Sequence, residues 1–213
     1  ERAAGVAKLR FSRDLRLEEV YSLLRSSTRA AIQSVPTMGM TEQDAANAQH
    51  ARLLWVLRRQ LARPVGRGMF TLGSVRPLPT DMIAVPPLVI AGYNAETGQA
   101  YTLDNAKLTD EVTEWPKFHN GAAAALRLER HLPRLLDHWI AYFRDGPPSN
   151  THGGMLLGLG LRGHLKPLAV TKIYDHLFER HELTTVGLLL GVAATHAGTV
   201  DAQLLKIFSI HIP

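Results

Sequence analysis

One periodicity constrains this chain more than any other feature. Glycines 121, 154 and 187 stand 33 residues apart and then 33 again. Each opens a small and apolar block: Gly121 to Leu126, Gly154 to Leu159, and Gly187 to Val192. Four positions after each lead glycine stands another small residue, Ala125, Gly158 and Gly191. An amphipathic stretch follows each block. It carries Leu132, Leu135, Leu136, Trp139, Ile140 and Phe143 in the first unit, and Val170, Ile173, Tyr174, Leu177 and Phe178 in the second. In the third it carries Leu204, Leu205, Ile207, Phe208 and Ile210, of which Leu204, Ile207 and Phe208 are expected on an exposed face. A fixed period in this range marks a stacked array of helix pairs.

Glycine inside a helix costs about 1 kcal/mol relative to alanine, so this pattern needs a packing reason. Residues i and i+4 share a helix face, and two small ones there make a flat strip that a neighbouring backbone can approach. The rest of each block is apolar nearly all round, which suits a helix buried on every side. The expected fold class is therefore mainly α. The glycine-rich helices form an inner layer packed through Gly121, Gly154, Gly158, Gly187 and Gly191, and the amphipathic helices form an outer one.

Ahead of the array, residues 13–27 read as a helix with Leu17, Val20, Tyr21 and Leu24 on one face. Residues 30–40 hold Pro36 and Gly39 and read as a connection. Thr41 and Asp44 have capping-box spacing. They predict a long helix reaching about Ala62, ended by Pro64. The prolines of residues 64–117 argue against helices there, and Gly66-Arg67-Gly68 reads as a tight turn. Leu88 to Tyr93 and Gln99 to Leu103 are expected to pair across the polar turn from Asn94 to Gly98. Three regions result: 1–63 helical, 64–117 irregular and Pro-rich with short strands and laid against helices, and 118–213 carrying the repeats.

Composition narrows the class further. The 213 residues are 46% hydrophobic and 20% charged, as in a folded chain. With no cysteine there is neither a disulfide framework nor a thiolate metal site. The longest apolar run, Val186 to Ala194, is nine residues, about half of a membrane span, so no membrane association is expected. The chain lacks an initial Met and ends at Pro213 after an apolar pattern, so a piece of a longer protein is expected. The net charge of +5 is concentrated in the first third, where Arg58, Arg59 and Arg63 cluster. Nucleic-acid binding would want aromatic residues interleaved with those cations, and none are, so no nucleic-acid partner is expected.

Reactive side chains do not fall into catalytic patterns. His176 and His181 are five apart and do not share a helix face cleanly. No HExxH is present, so no metal is expected. Asp137 and His138 are adjacent and point apart on a helix. Ser12, Ser26, Ser27 and Ser34 lie in no nucleophile elbow. No catalytic residue and no cofactor are expected.

The blocks Gly154 to Leu165 and Thr185 to Val192 resemble proteasome/cyclosome repeats. That family supplies scaffolds to the proteasome cap and to the anaphase-promoting complex, or cyclosome. The stretches Arg10 to Arg16, Leu61 to Leu72, Phe118 to Gly121, Ile173 to Leu177 with His181 to Gly191, and Leu205 to Pro213 resemble the cyclosome branch. The resemblance implies an α-solenoid at the start of a toroid. It also implies a non-catalytic scaffold role in a cullin–RING type E3 ubiquitin ligase that controls mitotic progression. Other subunits of that complex (the cullin/RING module and tetratricopeptide-repeat subunits) and its coactivators would be the partners, in nucleus and cytoplasm. The alternatives are a proteasome-cap scaffold with the same repeats and, from another class, a helical-repeat protein that binds nucleic acid.

Overall fold

A computed structural model describes residues 30–32, 38–58, 63–76, 78, 81–103, 108–130, 139–140 and 146–211. The helix expected over 13–27 lies outside them. The fold is mainly helical, in two compact units: Glu1–Arg67 with Val89–Leu108, and Gly68–Leu88 with Thr109–Pro213. The segment 64–117 is therefore shared between two units and forms none of its own. Its end at 117 also falls inside a helix that runs from 110 to 126.

The first unit holds strand β1 (Ala30–Ile32), helix α1 (Glu42–Arg58), and strands β2 (Ile90–Asn94) and β3 (Ala100–Leu103). Thr41 opens α1 by accepting from the Asp44 amide at 3.2 Å, and its hydroxyl donates to the Asp44 carboxylate at 2.7 Å. The sheet order is β1-β2-β3, with β1 parallel and β3 antiparallel to β2. The hairpin forms where the sequence places it, with Ile90 opposite Leu103 and Tyr93 opposite Ala100. Asn94 builds the turn: its Oδ1 accepts from the amides of Glu96 at 2.8 Å and Thr97 at 3.2 Å. Gly98 closes it at φ +71°, where a side chain would be strained. Among the described residues of this unit, Leu53 on α1 and the paired Ile90 and Leu103 are the buried large apolar side chains.

Proline placement departs from the sequence reading twice. Pro64 stands in the first turn of α2 (Arg63–Phe70), where its missing N–H has no helical partner to lose; the helix end expected near Ala62 lies outside the described residues. Gly66-Arg67-Gly68 is consequently helical and not a turn. Pro116 lies inside α3 (Asp110–Leu126) and is buried. It forgoes one backbone hydrogen bond, and the buried Phe118 with the buried run from Asn120 to Leu126 keeps the helix in place.

The second unit contains α3, α4 (Asn150–Leu161), α5 (Val170–Phe178), α6 (Glu182–Thr195) and α7 (Ala202–His211). Ser149 caps α4 by accepting from the His152 amide at 3.2 Å. Gly163, at φ +80°, closes the other end, with its amide on Gly160 O at 2.9 Å and the His164 amide on Leu159 O at 2.9 Å. These two bonds are the Schellman arrangement. One core joins α3 to α7, with Leu128, Ile140, Leu156, Leu159, Leu165, Leu188 and Ile207 fully buried in it. The Pro-rich segment packs Val75, Ile83 and Val85 against that core, and Asn120 donates its side-chain amide to the Pro86 carbonyl. Of the amphipathic stretch of the first repeat, Trp139 and Ile140 are described, and both are buried. The face of α7 is turned from the expected one. Leu204 and Ile207 are buried, Phe208 is half-buried, and Leu205 and Ile210 are exposed. Leu204 and Ile207 belong to the same apolar core as Leu177, Leu188 and Val192, which fixes the buried face of α7.

Candidate functional site

The most specifically built feature is the stack α3–α4–α6, in which small residues let main chains touch. A Cβ added at Gly154 would land on Phe118 O of α3, and one at Gly121 would land on Thr151 O of α4. The contact is reciprocal, because Phe118 and Thr151 each stand three residues before the lead glycine of their own helix. One turn on, a Cβ at Gly158 would come 2.6 Å from Ala122 O and 2.6 Å from the Ala125 methyl. The run Ala122 to Ala125 is fully or almost fully buried.

The α4–α6 contact uses a different face of α4. A Cβ at Gly187 would strike Gly153 O, one at Gly153 would strike Leu183 O, and one at Gly160 would strike the Gly191 backbone. At Gly191 the added Cβ would stand 2.6 Å from Leu156 O. At about 100° per residue, the Gly154/Gly158 face and the Gly153/Gly160 face of α4 are roughly 130° apart. The three helices therefore do not lie in one flat row. Gly153 and Gly160 are absent from the set singled out by sequence. The signal was present in their spacing of seven, which returns to the same helix face. Gly68 was likewise read otherwise: a Cβ there would approach Ala123 Cα to 2.6 Å, so it too sits against the α3 main chain.

Ionisable groups in this unit are placed by packing. The His152 and His176 rings are buried with centroids 5.5 Å apart, linking α4 to α5. His181 caps α6, with Nδ1 accepting from the Thr184 amide at 3.2 Å. Burial, and then the nearby Arg162 cation, hold His164 below its ordinary pKa, against a hydrogen bond to the Glu129 backbone that acts the other way. Among the described residues no three His, Cys, Asp or Glu side chains gather closely enough to hold a metal ion. No described helix is long and apolar enough to cross a membrane. Asp137, His138, Ser12, Ser26, Ser27 and Ser34 lie outside the described residues.

The chain is a mainly helical protein in which three helices, with lead glycines 33 residues apart, pack main chain to main chain. The chain belongs to the family described as the APC1 fourth domain, whose model matches residues 6–197. Proteins named "Anaphase-promoting complex subunit 1" from Dictyostelium discoideum and Homo sapiens are each 37% identical to it, over 97% and 98% of this chain. The protein of that name from Schizosaccharomyces pombe is 35% identical over 97% of this chain. The chain spans only 9%, 11% and 14% of the length of these three relatives.

Proposed function

We propose that this chain serves as part of a scaffold subunit of the anaphase-promoting complex, within a cullin–RING type E3 ubiquitin ligase of the mitotic cycle. Its role there is to hold other chains in place, with no catalytic group of its own. The single observation that carries this reading is the backbone-to-backbone stack in a chain similar along nearly its whole length to proteins bearing that complex's name. Such a stack is stiff and extended, and each unit is stabilised by its neighbours. The paired helices form a stretch of solenoid belonging to a larger ring. The partners are the cullin/RING module, tetratricopeptide-repeat subunits and coactivators, in nucleus and cytoplasm.

The test is made in the full-length protein. Affinity purification and native mass spectrometry should retrieve cullin and tetratricopeptide-repeat subunits with the unaltered protein. Fewer should be retrieved with a Gly154→Leu, Gly191→Leu variant. His176→Ala should leave ubiquitin transfer intact wherever the complex stays whole. A loss of transfer from a complex of unchanged composition would overturn the scaffold reading. Recovery of proteasome ATPase subunits, or nucleic-acid binding that weakens steeply with salt, would replace it with a different one.

A further inference from the structure

We propose that positions 129, 162 and 195, which are 33 residues apart, form a recurring tether that sets the register of each helical unit on what precedes it. The inference rests on three contacts at the same end of the stack. Arg162, just past α4, donates its Nε–H to Leu128 O, just past α3, at 3.0 Å. Thr195, the last residue of α6, places its hydroxyl 2.9 Å from Gly160 O in the last turn of α4. Glu129 reaches back in the same sense to the Pro-rich segment, accepting from Arg76 Nη2 at 2.8 Å and also from its Nε. Beside it Val75 and Leu128 form a parallel bridge. The side chains differ, but each sits at the same period position and ties backward.

The physical need follows from the glycines. Helices that meet through smooth backbone lack the interlocking side chains that normally fix one helix along another. Something else must set how far α6 slides on α4. The C-terminal turn is the place where this can be done most cheaply. The last carbonyls of a helix have no further intrahelical N–H to accept, and a carbonyl has two lone pairs. A donor from the next unit uses that spare capacity and couples two units at the edge of the crowded interface, without a bulky side chain between the helices. Arg162 and Thr195 are both half-buried, so their bonds are partly shielded from water. The Arg76–Glu129 pair is more exposed and is the weakest of the three.

Thr195 also lies 2.9 Å from Gly191 O in its own helix, and its hydroxyl has one proton to give. The experiment must therefore separate a cross-helix tether from an ordinary back-bond. Amide hydrogen exchange of the full chain is compared for Thr195→Val, which keeps the shape, and Thr195→Ser, which keeps the hydroxyl. Thr195→Val should speed exchange at the C-terminal end of α4, over Leu156–Gly163, by about tenfold, the order of one net hydrogen bond. Thr195→Ser should leave that end near the unaltered rate. Arg162→Met should do the same to the end of α3, over Ala122–Leu128. Should that variant fail to fold, the Thr195 pair still decides. Acceleration confined to α6, or equal exchange in the Val and Ser variants, would overturn the proposal.

Discussion

Helices α4 and α6 carry the same glycine pattern but occupy different surroundings. On α4, Gly154 and Gly158 meet α3, while Gly153 and Gly160 meet α6. On α6, Gly187 and Gly191 meet α4. The α6 counterparts of Gly153 and Gly160, one period on, are Val186 and Ala193, half-buried and exposed. The outer helices repeat the contrast: Leu177 on α5 is 9% exposed and its counterpart Ile210 on α7 is 64% exposed. Glycine thus appears where another backbone arrives, and larger side chains stand where none does. The same helix type is intolerant of a methyl group on one face and indifferent to it on another.

The largest expected effect lies on the doubly covered helix. Gly154→Leu puts a branched side chain against Phe118 O, and the helices must part. Overpacking costs about 1–3 kcal/mol when side chains can yield. Here the obstacle is main chain, so we expect at least the upper end, read as a fall in thermal midpoint or as failure to fold. A stable Gly154→Leu chain would remove the basis for separating the two faces of α4.

Within α6, burial should decide between neighbours. Leu188 is fully buried and Leu190 is 52% exposed. Leu188→Ala should cost about 2–5 kcal/mol, and Leu190→Ala about 0.5 kcal/mol or less, both by urea unfolding. Comparable losses would mean that the exposed side of α6 is as closely packed as its covered side.

A smaller effect distinguishes the loops after the two helices. His164 follows α4, and its period counterpart after α6 is Ala197, which cannot titrate. Burial and Arg162 lower the His164 pKa from 6.5, so the folded chain favours the neutral ring. Its stabilising share is complete above about pH 6.5, and it is lost as the pH falls through that value toward the lowered folded one. Thermal midpoints measured between pH 7.5 and 5 should fall less steeply in His164→Gln than in the unaltered chain. Parallel slopes would exclude His164 from the acid sensitivity.

The stack and the hairpin were legible because each is written in local signals. The lead glycines repeat at a fixed spacing, and Asn94 and Gly98 bracket a turn between two apolar runs. Proline misled because its meaning depends on position. Pro64 suits a first helical turn, and Pro116 survives mid-helix because the buried surface after it outweighs one missing bond. The facing of α7 was not legible, since Leu204, Leu205, Ile207 and Ile210 are equally apolar and packing alone selects among them. The ties at Arg162 and Thr195 escaped notice for a related reason. They share a position and a role but not a residue type, and their acceptors are backbone carbonyls that no sequence displays.

The central claim is that these glycines are sites where main chains touch, and the sign of one substitution tests it most directly. In an open helix, glycine to alanine stabilises by about 1 kcal/mol through backbone entropy. At Gly160 an added methyl would meet the Gly191 backbone, whereas at the exposed counterpart Ala193 there is room. Urea unfolding of Gly160→Ala should therefore show a loss of stability in spite of the better helix propensity, while Ala193→Leu should stay within about 0.5 kcal/mol of the unaltered chain. A Gly160→Ala chain more stable than the original would contradict the account.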